Sequence, residues 1–297
     1  MANTFLTPSI IARAALATLY SNTVMAALVH RDFDADFNGK VGDTITIRKP
    51  AVFTANEYVR ANGLTIQSAT EGSTTVTLDK LLDVSFEVTT EQMALEINDF
   101  QQQLLVPAME AINQKIDTLL LGLRSDVVAV VGPPSGGAGT TVDPSDPKLL
   151  IDARTTLSKA KVPTTQRSAV LAPETAGEFL KDPLFNRVDE SGATEGLREA
   201  SLGSRKFGFD PYESQNITDK KSVCFHRTAF ALVSRVLPLP MGAAPRSAIA
   251  AYKGFGLRVV FDYDIDKKQD VVSIDTLVGV KTLDANRAVV IEPTVTA

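Results

Sequence analysis

At Thr89 the hydrophobic period of this chain changes from two to about 3.6. Before it, Val76, Leu78, Leu82, Val84, Phe86 and Val88 fall on one face of a strand, with only Lys80 interrupting. Thr75, Thr77, Asp79, Asp83, Ser85 and Glu87 fall on the other face. After it, Met93, Ile97, Phe100, Leu104, Ala108, Ile112, Ile116, Leu119 and Leu123 recur at spacings of three or four, the stripe of an amphipathic helix that covers a sheet. Thr89 with Gln92 fits a capping box at its start. Continuous to Arg124, such a helix is about 54 Å long at 1.5 Å per residue. It outspans a small domain and predicts an extended, plate-like molecule. Pro107 lies inside it. A proline there removes one helical hydrogen bond and crowds the preceding turn, so a kink is expected near residue 103.

Upstream, segment 41–88 is β-patterned. Ile45 and Ile47 alternate with Thr44, Thr46 and Arg48. Asn62-Gly63 is a hairpin signal, because both residues tolerate positive φ, and Glu71-Gly72-Ser73 marks a second turn. Between these strands, about 50–74, the chain holds Asn56, Glu57, Arg60, Asn62, Gln67, Thr70 and Glu71 and few large apolar residues. That composition predicts a long two-stranded finger standing away from its own core. An isolated hairpin is marginal in water, so the finger needs a partner surface. The exposed candidates for that contact are Arg48, Glu57, Arg60, Asn62, Gly63 and Glu71.

Thr7 as N-cap and Pro8 at the first helical position open an amphipathic helix toward Val29. It lacks a preceding basic residue and is interrupted by Arg13, Ser21 and Asn22, so it is not an export signal. The chain is expected to act in a cytoplasm. Residues 132–147 are half glycine and proline, eight of 16, which predicts a loop and a domain boundary. Beyond it come a helix from Asp146-Pro147 to about Lys161, a strand from Ser168 to Leu171, and a helix from Pro173 to Lys181 stopped by Asp182-Pro183. Phe207 to Ile217 and Val223 to Arg235 are extended. Leu257, Val259, Phe261, Tyr263 and Ile265 alternate along another strand, Asp266 to Asp270 turns, and Val271 to Val280 returns. Ala288 to Ile291 follows the turn at Asp284-Ala285-Asn286-Arg287.

With 297 residues the length prior is two domains, or one with large excursions. Cys224 is the single cysteine, which excludes an intrachain disulfide, and His30 and His226 are the only histidines, which excludes most metal-hydrolase designs. The net charge of −5 argues against a chain that lives by gripping phosphates. The glycine-rich stretch 132–140 has no Gly-Lys-Ser/Thr and is not a phosphate loop. Asp262, Asp264 and Asp266 mimic the start of a calcium loop, but Lys267 and Ser273 stand where glycine and glutamate are required. Cys224 and His226, two apart on an extended segment, would share a face and could form a nucleophile–base pair, although no third group orients the base. No apolar run reaches membrane-span length. No cofactor or metal is expected.

The order of elements resembles the major capsid protein of tailed bacteriophages, within the coat-protein fold family shared with encapsulins. The resemblance rests on the helical arm Thr7–Val29, the entry Gly42-Asp43-Thr44-Ile45-Thr46-Ile47-Arg48 into the finger, and the strand running into helix 89–124. It also rests on Leu171-Ala172-Pro173-Glu174-Thr175-Ala176 with Phe179-Leu180-Lys181-Asp182, on Gly208-Phe209-Asp210-Pro211-Tyr212, and on Leu277-Val278-Gly279-Val280-Lys281-Thr282-Leu283-Asp284. It implies an α+β tailed-phage capsid fold. Its parts are an N-terminal arm (1–38), an extended β-hairpin loop (39–80), a peripheral domain (81–131 and 251–297) with spine helix 89–124, and an α/β axial domain (132–250). The implied function is non-enzymatic: self-assembly through hexamers and pentamers into an icosahedral shell around double-stranded DNA, contacted without sequence specificity. The implied partners are further copies, a separate scaffolding protein, a portal and decoration proteins. The implied location is the virion, assembled in the host cytoplasm. An encapsulin-type compartment and, more remotely, a soluble enzyme using Cys224 and His226 are the rival readings.

Overall fold

The computed structural model describes residues 24–31, 42–49, 53–57, 60, 66–69, 71–89, 106–132, 146, 148–182, 185, 202, 205–239, 247–252 and 255–292. In chain order, a short helix α1 (Met25–Leu28) precedes strands β1 (Thr44–Lys49), β2 (Gly72–Thr77) and β3 (Lys80–Thr89). Helix α2 (Val106–Gly122) then runs into a 3-10 turn and β4 (Val130–Val131). Helix α3 (Lys148–Lys159), β5 (Arg167–Leu171), helix α4 (Pro173–Lys181), β6 (Asp210–Glu213), β7 (Ser222–His226) and β8 (Phe230–Arg235) follow. The chain ends through β9 (Ser247–Tyr252), β10 (Phe255–Asp264), β11 (Gln269–Thr282) and β12 (Ala288–Ile291).

Two five-stranded sheets and a separate β1–β2 ladder organise these strands. In the first sheet β11 is central. One of its edges pairs with β3, and the other pairs first with β10 and then with β8. Strand β9 extends the sheet beyond β10. The second sheet has the order β4-β12-β7-β5-β6. The sheets therefore exchange strands across the boundaries expected at 132 and 250: β8 and β9 join the first sheet, while β4 and β12 join the second. The turn at Arg227–Ala229, closed by Ala229 N–H on the His226 carbonyl at 2.8 Å, passes the chain from one sheet to the other. A strand goes to whichever edge offers it a ladder, and a break in composition does not control that.

The core has two main parts. Helix α2 lays Met109, Ile112, Ile116 and Leu120 over Val259, Val272, Ile274 and Val278 of the first sheet, with Met25 and Val29 beside them. Helices α3 and α4 put Leu150, Leu157 and Phe179 against Leu171, Cys224 and Ile291 of the second. The local signals around α4 act as their chemistry dictates. Pro173 occupies the first turn, where its missing N–H costs nothing, and the helix stops at Lys181.

Several expectations are corrected. Thr89 is the last residue of β3, paired with Gln269 in the ladder to β11, and the helix expected to begin there falls on residues outside the described ones. Gly72 and Ser73 are not a turn but the start of β2, paired with Lys49 and Arg48. The single strand expected over 76–88 breaks at Leu78-Asp79 into β2 and β3, which belong to different ladders. Pro107 falls in the first described turn of α2, with its side chain exposed, and the helix ends at Gly122, short of Arg124. Residues 90–105, and the kink expected near 103, lie outside the described residues.

Candidate intersubunit surface

The finger is rooted by a small apolar cluster of its own. Val76 and Leu78 pack with Ala231, Val233 and Leu277, and Ile45 and Ile47 lean on the same group. Alternation explains this. Along β1, Ile45 and Ile47 are half-buried while Thr44 and Thr46 face solvent. Two backbone bonds close the base, Gly42 N–H to the Leu78 carbonyl at 2.6 Å and Leu78 N–H to the Asp43 carbonyl at 2.9 Å. Gly279 of β11 lies against this root so closely that a β-carbon on it would stand 2.3 Å from the Thr77 carbonyl oxygen. The root thus touches β11 backbone to backbone, which only glycine permits.

Outward from Lys49 and Gly72 the ladder stops, but the two arms remain in register. Thr54 donates its N–H to Gln67 Oε1 at 2.9 Å, and Gln67 Nε2 donates back to the Thr54 carbonyl. Those two residues stand where the β1–β2 register, carried outward, would pair them. A side-chain amide here replaces a backbone partner. Flanking this clasp, Phe53 is 62% exposed and Ile66 is 93% exposed. Such residues are the kind that interfaces cover.

Of the expected contact residues, Arg48 lies in β1 opposite Ser73, and Glu57, Arg60 and Glu71 are exposed. Asn62 and Gly63 lie outside the described residues. Among the described residues none of Glu57, Arg60 and Glu71 takes an ion-pair partner. Phe53 and Ile66 were not among the expected contacts. The signal for them was a large apolar side chain within an otherwise polar stretch.

Asp117 was also missed. It is 3% exposed on the core face of α2. Burial pushes its carboxyl up to about 6, while the backbone N–H groups of Val24 and Met25 and the side chain of Asn216 hold it back. It therefore tethers the start of α1 to α2 and to the segment before Ile217.

Cys224 and His226 do not form a reactive pair. Every residue of β7 is buried, and burial pushes the Cys224 thiol well above its ordinary range, away from the thiolate that chemistry requires. Burial, then the charges of Arg287 and Arg167, pull His226 down. Its Nδ1 lies 2.9 Å from Thr228 Oγ1 and accepts the Thr228 N–H at 3.3 Å. Arg287 donates to that same hydroxyl at 2.6 Å. The ring is a neutral clamp on the turn between the two sheets.

A family model described as phage capsid protein matches residues 68–274. No curated protein matches the sequence. Among solved structures, the chain is similar to one from Mycobacterium phage Che8 at 20% identity and a TM-score of 0.71, covering 92% of each chain. It is similar to the capsid structure of the Cyanophage P-SCSP1u at 9% identity and a TM-score of 0.63, covering 98% of this chain and 90% of that one. It is similar to a virus-like particle from Pyrococcus furiosus at 12% identity and a TM-score of 0.54, covering 95% of this chain and 98% of that one. At these identities the structures speak to the fold, an α+β phage capsid fold. The family match runs from the outer arm of the finger through α2 and strands β4 to β10 into β11, most of the chain, and so the chain belongs to the phage capsid protein family.

Proposed function

We propose that this chain is the major capsid protein of a tailed bacteriophage, whose copies gather into hexamers and pentamers and close an icosahedral shell around double-stranded DNA. The subunit is structural, and it works in the virion after assembly in the host cytoplasm with a separate scaffolding protein, a portal and decoration proteins. The observation that carries this reading is the finger. It exposes Phe53 and Ile66, and among its described residues Gln67 clasps the two arms. Ordering such a segment costs about 1–2 kcal/mol per residue in backbone entropy, and its own subunit offers little in return. A neighbouring copy supplies the cover. Glu57, Arg60 and Glu71 then meet opposite charges at a rim where each pair contributes about 0–1 kcal/mol. Repetition over many copies makes small terms count. Pro107, in the first described turn of α2, is assigned the bend that sets curvature between subunits.

The test replaces residues 51–71 by a short Gly-Ser turn, which leaves the β1–β2 ladder in place. The variant should keep native circular dichroism and fail to form shells by electron microscopy. Normal shells, or a chain that does not fold, would defeat the reading. A second reading, an encapsulin-type compartment around enzymes, is favoured by the similarity to the Pyrococcus furiosus particle, and the phage family match weighs against it. DNA or protein as the content of purified particles separates the two.

A further inference from the structure

The second sheet carries at one end a group of arginines with no carboxylate partner among the described residues. Arg167, at the start of β5, is 2% exposed. Its guanidinium donates to the Val162 carbonyl at 2.7 Å, the Pro163 carbonyl at 2.8 Å and Ser158 Oγ at 3.3 Å. Arg205 donates to the Thr164 carbonyl at 2.7 Å and the Gly208 carbonyl at 3.5 Å. Arg154, on α3, lays its Cδ and Nε 3.5 Å from where a β-carbon on Gly208 would stand. All three gather around the turn Lys206–Phe209, in which Phe207 and Gly208 both take positive φ, 48° and 90°. That is the geometry of a tight hairpin turn, which asparagine and glycine usually fill. Carbonyls and the Ser158 hydroxyl take the hydrogen bonds of Arg167 and Arg205 but do not neutralise their charge. Burial, and then the charges of Arg154 and Arg205, pull Arg167 below its ordinary value. Arg154 and Arg205 are exposed, so an anion from outside can complete the cluster.

The surroundings indicate which anion. Ile151 sits one turn before Arg154 on the same face of α3 and is 40% exposed. Nucleic acid is held by a run of cations that tracks its phosphates. Two outward arginines beside an exposed isoleucine suit a protein surface that is apolar and acidic together. This chain has one. At the β10–β11 turn, Asp262 and Asp266 are exposed, and Tyr263 and Ile265 are 40% and 76% exposed. Asp264 shapes that turn by accepting the N–H groups of Asp266 at 3.0 Å and Lys267 at 3.3 Å. Asp262, Asp264, Asp266 and Asp270 outnumber Lys267 and Lys268 there, so the turn is acidic on balance. The finger is the wrong complement, since Arg48, Lys49 and Arg60 outnumber Glu57 and Glu71. We propose that the arginine cluster of one copy is the socket for the β10–β11 turn of a second copy, with Asp262 and Asp266 meeting Arg154 and Arg205, and Ile265 resting on Ile151. Two different patches joined in this way make a head-to-tail contact, which can repeat around a ring.

The test uses charge reversal in the full-length chain, with assemblies measured by sedimentation and electron microscopy. Arg154→Glu and Asp266→Arg each replace an exposed side chain, so both variants should melt like the parent. Each should raise the concentration at which assemblies appear at least tenfold. Combining both changes in one chain should restore assembly to within threefold of the parent, because every socket then meets a turn of opposite sign. A double variant no better than the singles, or an Arg154→Glu chain that assembles like the parent, overturns the proposal. Arg154→Glu shells that close normally but no longer retain DNA would assign the cluster to nucleic acid and overturn it equally. The finger is intact in all three variants, so their failure leaves the finger reading untouched.

Discussion

Strands β5 and β7 bury all five of their residues, whereas every described finger residue beyond the root, from Phe53 to Glu71, is exposed. The second sheet lies between two apolar layers. Val170, Val223 and Phe225 face the core under α2, and Ala169, Leu171 and Cys224 face the core under α3 and α4. Strands covered on both faces become continuous apolar runs, and their order is supplied from within the subunit. Among the described residues the finger has one small cluster at its base and one side-chain clasp farther out. On the function proposed above, its order comes from another chain. Stability of the subunit and competence to assemble then rest on different parts of the molecule, and substitutions should separate them.

The largest effect should come from inside the sheets. Phe225 is fully buried and meets Phe230 edge-to-face, with ring centroids 5.3 Å apart. Phe225→Ala should cost about 3–5 kcal/mol, read from denaturant midpoints, and assembly should fail because the subunit unfolds. Loss of assembly at unchanged stability would break that division of labour.

Asp117 follows. Its carboxyl stands at about 6 in the folded chain against an ordinary 3.8, so the folded state binds this proton more tightly. The stabilisation is fully present below pH 3.8 and is lost as pH rises through about 6. At neutral pH the ionised group costs up to about 3 kcal/mol. Asp117→Asn keeps an acceptor for the Val24 and Met25 N–H groups. It should raise stability at pH 7 by about 1–3 kcal/mol and flatten the pH dependence. An unchanged slope in denaturation across that range would assign the pH sensitivity elsewhere.

Gly279→Ala tests the seam between the two regions. The added carbon would meet the Thr77 carbonyl at 2.3 Å, so about 1–3 kcal/mol is expected from overpacking, with the finger root displaced. Shell yield should fall more than the melting temperature alone accounts for.

Gln67→Ala should have the smallest effect on the subunit, at most about 1 kcal/mol, because the clasp is exposed. If the finger is an assembly device, the same change should still lower shell yield measurably. A loss of several kcal/mol would show instead that the finger is part of the core.

Elements with local punctuation were legible before any tertiary contact was known. The structure places α4 at Pro173–Lys181, between a proline suited to a first turn and an Asp-Pro stop, as the residues alone predict. Strand β10 follows the alternation of Leu257, Val259 and Phe261, and β12 follows the Asp284–Arg287 turn, where Asp284 accepts the Asn286 N–H at 3.1 Å. The errors came where a local signal competed with a distant ladder. Residues 76–88 alternate as one run, but two different ladders, β2 with β1 and β3 with β11, break it at Leu78-Asp79. Gly72 has the chemistry of a turn, but Lys49 holds it in a ladder. Local preferences amount to tenths of a kcal/mol to about 1 kcal/mol per residue, less than a continuous set of backbone bonds.

The amino-acid sequence determined by itself which segments alternate with period two, which with period 3.6, and where the polar finger lies, because these depend on neighbours a few residues apart. It also determined that a single cysteine and two histidines leave little room for metal or disulfide chemistry. Only the tertiary structure decided which sheet each strand joins, that Cys224 is sealed in the core, that Asp117 is buried against α1, and that Arg154, Arg167 and Arg205 meet at one turn. Those facts depend on contacts between residues far apart in the chain. Burial, charge repulsion and backbone approach act through distance in space, which the order of residues does not record.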